Sequence, residues 1–300
     1  MARFPVFGSI GAAIDDLLTN KIFAAKTYGV VLAANVVISI PSLLLVRPII
    51  PGAMPDRALI VPAILLGLIS AVVNIGTMTW MFVRWSGLVV ERVTGAPPPP
   101  RRFWATIRAF LKLFVVMVLA YLSLVIAVMF LALLGRILPV MKSVGGVLML
   151  CALLAVIWVG IRLILVPARA GIGEGTSIEA CWRATKGCFW RLFGLGILNE
   201  FVLLASFAVV GILFAIVASI AFRVGWITGP GSGAHMRAWL DWYSRATQQR
   251  GMRMLLLLVS ILSAPVIASA YFIVIGAYAR VAIALRLKLA AVVAGDPWQG

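Results

Sequence analysis

The sequence predicts an all-α membrane protein: six transmembrane helices, with short interfacial amphipathic helices before spans 1, 3 and 5. Three observations predict it. First, 63% of the 300 residues are hydrophobic and only 12% charged, with a mean hydropathy of +1.12. A soluble domain covers its surface with roughly 25% charged residues, so this chain has too little polar surface to face water all round. Second, six apolar runs are each long enough to cross a bilayer, which takes about 20 residues. Third, nine of the ten tryptophans fall at the ends of those runs or between them, as an aromatic belt at headgroup level requires, leaving Trp158 inside a run.

Residues 1–27 read as an N-terminal cytoplasmic interfacial helix. Asp15, Asp16, Lys21 and Lys26 interrupt any short apolar core, so the segment is not a signal peptide. The membrane domain, 28–279, follows with spans at 28–46, 59–83, 111–134, 144–166, 192–221 and 254–278. The fifth is longer than a bilayer needs and must tilt or protrude. Pro41 and Pro62 lie near span ends and Pro265 lies inside the sixth, where a kink is tolerated. Residues 280–300 form a basic tail.

The net charge of +17 sets orientation. Counting Lys112 at the edge of span three with the loop before it, sixteen Lys and Arg fall on the side shared by the N-terminal segment, the second loop, the fourth loop and the tail, against nine on the other side. The positive-inside rule puts both termini in the cytoplasm. The same charge implies contact with anionic lipid of the bilayer, and no motif for nucleic acid accompanies it.

The segments before the odd-numbered spans resemble one another. "SIGAAIDDLLTNKIF" from Ser9, "RFWATIRAFLKLF" from Arg102 and "SIEACWRATKGCFW" from Ser177 align Ile10 with Phe103 and Ile178, Ala12 with Ala105 and Ala180, and Asp15 with Arg108 and Arg183. Each reads as an amphipathic helix lying in the interface, with 10, 14, 17 and 18 on one face of the first and 178, 182, 185 and 189 on one face of the last. The architecture is then three units, each an interfacial helix followed by a helical hairpin. Candidate lipid-facing residues are Arg101, Arg102, Trp104, Trp182, Arg183, Lys186, Trp190 and Arg191. Trp239 and Trp242 join them from a further amphipathic stretch in the fifth loop, after "GPGSG". "GAPPPPRR" cannot be helical; it reads as a stiff polyproline spacer, with a docking site for a partner as the alternative.

Little in the chain points to chemistry. There is no hydrolase elbow, Walker loop or HExxH, and no cofactor or metal is expected. His235, beside glycines, is incidental. Cys151 lies in a span; Cys181 and Cys188, seven apart on one helix, are about 10 Å from each other and too far for a bridge. The polar residues within spans are Asn35, Asn74, Arg162, Asn199 and Glu200, and intramembrane ionisable groups are functional candidates by default. Arg162 lies about a turn from the cytoplasmic end of span four and Glu200 about two turns into span five from the same side. The two would pair at similar depth, or Arg162 would snorkel to headgroups.

The fourth-loop stretch "LVPARAGIGEGTSIEACWRATKGCFWRLFGLGIL" resembles bacterial membrane proteins of the glycerophosphoryl diester phosphodiesterase membrane-domain type. The features that carry the resemblance are Val166-Pro167 at a span end, Ala180 and Thr185 on the loop helix, and the step Phe189-Trp190-Arg191-Leu192; the tail "AYARVAIALR" is similar too. The resemblance implies a membrane module of the bacterial inner membrane, apart from the soluble catalytic domain that carries the phosphodiesterase activity. The expected function is therefore non-catalytic: an accessory or scaffold subunit, or a membrane or lipid-homeostasis module, working with a membrane-protein partner or as a homo-oligomer. The alternative is a transporter or lipid-handling permease built on Arg162 and Glu200.

Overall fold

The computed structural model of the chain describes residues 6–45, 57–100, 102–137, 140–225 and 250–293. Among them all regular structure is helical: α1 (Val6–Thr19), α2 (Lys21–Leu45), α3 (Arg57–Thr94), α4 (Arg102–Ile137), α5 (Val140–Leu163), α6 (Leu165–Gly171), α7 (Ile178–Ala184), α8 (Phe189–Arg223) and α9 (Arg250–Val293). Six helices are long and apolar enough to cross a membrane: α2, α3, α4, α5 with α6, α8 and α9. They coincide with the six runs of the sequence, so the chain is a multi-pass membrane protein. The longest, at 44 residues, would reach about 66 Å, twice the hydrocarbon core, so it must continue well beyond the bilayer.

The apolar residues face outward to a degree no water-soluble protein tolerates. None of the most apolar window of α4 or α8 is buried. Phe114, Phe130 and Met129 on α4 and Phe201 and Phe207 on α8 stand more than half exposed. In lipid such faces cost nothing, and the backbone polar groups are satisfied within each helix.

The chain divides into two compact units. The first holds Met1–Thr19, Thr79–Asn199 and Ile273–Gly300; the second holds Asn20–Met78 and Glu200–Phe272. In the second unit, α8 and α9 pack through Ala221, Leu255 and Val259, flanked by Phe214, Val217 and Phe222. Pro265 inside α9 leaves its helical neighbours short of one N–H, and Ser269 turns its hydroxyl back onto the Pro265 carbonyl at 2.8 Å.

The first unit buries small residues so that helices can approach. A Cβ at Gly276 of α9 would lie 3.1 Å from Ala13 Cβ of α1 and 3.2 Å from the ring nitrogen of Trp85 on α3, which is fully buried. A Cβ at Gly171 would lie 2.7 Å from the Phe82 ring. These glycines let α1, α3, α6 and α9 meet at backbone distance.

Three expectations change in detail. The segment at Arg102 is no separate helix; it forms the first turns of α4, continuous with span three. Nothing in it breaks the helix, whereas α1 ends in a turn at Asn20 before α2. The stretch from Ser177 to Trp190 is not one helix: Gly187 at φ +80° turns the chain between α7 and α8, so Cys181 and Cys188 do not share a helix face. All three cysteines are free thiols. Finally, α1 does not present 10, 14, 17 and 18 together. It turns Ser9, Ile10, Ala13 and Asp16 into the protein, leaving Phe7, Ile14 and Leu18 outward. Small residues and one charge, not the largest side chains, mark its buried face.

Candidate functional site

At one end of the first unit, segments far apart in sequence converge on two carboxylates, the buried Asp16 and the half-buried Glu174. Asp16, at 0% exposure, accepts from Arg92 Nη1 at 2.8 Å and from Arg280 Nε and Nη2 at 2.9 and 2.8 Å. One carboxylate thus ties α1 to the end of α3 and to α9. Asp15, its exposed neighbour, only approaches Arg92, at 4.0 Å. Glu174, in the turn after α6, accepts from Arg169 Nε at 2.8 Å and pairs with Arg286 of α9 at 3.5 Å. Around them Arg102 donates to the Gly171 carbonyl at 2.8 Å, and Lys112 donates to Thr176. Gly87 makes room for Arg102, whose guanidinium lies 2.6 Å from where a Cβ would stand. Pro99 of the tetraproline packs directly against Gly173, whose φ of +93° suits only glycine. The proline stretch is therefore docked on the fourth loop through Pro99.

The N-terminal segment, the second loop, the fourth loop and the start of the tail thus meet at one end. These are the four segments that carry the excess of positive charge.

Arg162 lies in the same unit and is treated differently. It is 9% exposed, and its guanidinium carbon sits 4.8 Å from the Trp158 ring centre and 4.5 Å from that of Trp182. The two indoles meet edge to face at 5.0 Å and 87°. Trp158 comes from the preceding turn of α5; Trp182 comes from α7, which is fixed in place by the Cys181 thiol donating to the Arg162 carbonyl at 3.4 Å. Ser177 caps α7 by accepting from the Ala180 N–H at 3.2 Å. Trp158, the one indole expected deep in a span, belongs instead with the loop helix, and Phe189 links it to the 77%-exposed Trp190. Burial pushes the Cys181 thiol up to about 11, with Arg169 opposing and Glu174 reinforcing the shift.

The other residues singled out by sequence scatter. Asn35 turns its amide onto its own helix, donating to the Val31 carbonyl at 3.0 Å. Asn74 is exposed on α3. Asn199, 3% exposed, has neither amide atom hydrogen-bonded among the described residues. Glu200 is exposed and begins the second unit's share of α8, whereas Arg162 belongs to the first. Arg183 forms an exposed pair with Glu179 at 3.2 Å, and Lys186 and Trp104 are exposed. Arg191 is half-buried. Arg101, Trp239 and Trp242 lie outside the described residues, as does most of the fifth loop.

Sequence reasoning misses Asp16, Arg92, Arg169, Glu174 and Arg280 as a constellation. An adjacent Asp pair in an otherwise acid-poor chain is the one available signal for the first of them. Comparison with protein-family models, with curated proteins and with solved structures finds no match for this chain.

Proposed function

We propose that the chain is a non-catalytic, polytopic protein of the bacterial inner membrane, acting as an accessory or scaffold subunit or a lipid-homeostasis module. Its two termini are cytoplasmic, and its partners are anionic lipid and a second membrane protein or another copy of itself. Kinship with the membrane module of the glycerophosphoryl diester phosphodiesterase type belongs to the same proposal. The observation that carries it is the use made of the acids. Asp16 and Glu174 are each held by two arginines, which fixes the chain's arrangement and leaves those carboxylates no free acid–base role. Broad apolar faces on α4 and α8 remain for lipid and partner helices.

Photo-crosslinking in membranes tests the reading, with a photoreactive residue in place of the exposed Phe114 of α4 or Phe207 of α8. Crosslinks to a discrete protein, with unaltered complex formation by Glu200→Gln, are expected. Solute flux by the purified protein in vesicles, abolished by Glu200→Gln, would replace this reading with a transporter.

A further inference from the structure

The geometry points to Arg162, clasped between Trp158 and Trp182, as a binding site for the phosphate of an anionic phospholipid headgroup. Half-buried arginines elsewhere in the first unit have acceptors: Arg102 a carbonyl, Arg169 a carboxylate, and Arg280 a carboxylate with two bonds. Arg162 is more than nine-tenths buried, yet its guanidinium makes no hydrogen bond and no ion pair among the described residues, and its Nε is wholly enclosed. An arginine does not shed its proton to escape this. The two indole faces offset part of the lost hydration, but they satisfy none of its five N–H donors.

What is missing is a planar-fork acceptor carrying negative charge, which a phosphate supplies with two oxygens. The source follows from position. Arg162 lies in the last turn of α5, inside the fourth span, which continues through α6 to Gly171, and the loop helix α7 reaches it there through Cys181 and Trp182. It sits within an aromatic cluster that runs through Phe189 to the exposed Trp190, and tryptophan settles at headgroup depth. At that depth the abundant phosphates are those of the lipid. Exposed Arg183 and Lys186 on the same loop add attraction for an anionic leaflet. The two ring contacts and the burial of Arg162 already restrict its side chain, so little side-chain entropy is lost on binding.

The test titrates delipidated protein in nonionic detergent with phosphatidylglycerol and counts bound lipid by native mass spectrometry. Wild type is expected to hold one tight lipid per chain. Arg162→Gln should weaken it about tenfold or more, the worth of a charge-assisted fork, while exposed Arg183→Gln changes it less than about twofold. Arg162→Lys keeps the charge but not the fork and should also weaken binding; it carries the test if Arg162→Gln does not fold. Equal binding by wild type and the folded Arg162 variants overturns the site. Displacement of the tight lipid by millimolar inorganic phosphate overturns the lipid as its source.

Discussion

Replacing Asp16 with Asn removes one charge and leaves the shape. The carboxylate has no exposed surface and receives three N–H···O bonds from Arg92 and Arg280. Removing one partner of such a buried pair costs about 3–5 kcal/mol, because the other charge is left without compensation. Here the arginine side chains keep 36% and 25% of their exposure and can rehydrate. Asn also retains one carbonyl acceptor. The lower end applies, about 3 kcal/mol, which corresponds to a fall in melting midpoint of roughly 6 °C or more. Asp15→Asn is the matched control: its side chain is 72% exposed and 4.0 Å from Arg92, so a change within about 0.5 kcal/mol is expected. Scanning fluorimetry in detergent measures both, and limited proteolysis reports whether α1 has been released. A loss for Asp16→Asn no greater than for Asp15→Asn would refute the reasoning that this carboxylate anchors α1.

Gly173→Ala combines a left-handed backbone with a Cβ driven into Pro99, so a loss of about 2 kcal/mol or more is expected, with faster cleavage in the proline stretch. Gly276→Val pushes against Ala13 and Trp85 and should cost about 1–3 kcal/mol; an unchanged melting midpoint would mean that α9 does not pack there. The Cys181 thiol holds its proton more tightly folded than unfolded. Its contribution to stability is therefore full below pH 9.0, its ordinary value, and is lost as pH rises toward about 11. Peptide mapping after alkylation at pH 8 should find Cys181 unmodified in the folded protein and modified after denaturation.

The spans are legible in the sequence because a bilayer imposes length and apolarity on each helix separately, and both are local properties. The common side of the N-terminus, second loop, fourth loop and tail is legible too, because two crossings separate each of these segments from the next. The polar core is not. Asp16 and Arg280 are 264 positions apart, and no periodicity links them. Half of the Arg162 clasp lies in plain sight, since Trp158 precedes it by one helical turn. The other half, Trp182, sits on a different helix, and hydropathy places Trp158 with lipid rather than with that loop. The buried face of α1 escapes a sequence reading because small residues and one charge, Ser9, Ala13 and Asp16, line it with Ile10, while the larger Phe7, Ile14 and Leu18 face outward, so hydrophobicity does not mark its inside.

The central claim is that a six-span membrane protein gathers its N-terminal helix, second loop, fourth loop and tail at one end. Single cysteines at the exposed positions Asp15, Glu91, Lys186 and Leu287, in a chain lacking its own cysteines, test it with an impermeant maleimide on spheroplasts and on inverted vesicles. The account predicts that all four label in inverted vesicles and none in spheroplasts. Labelling of any two from opposite sides would contradict it.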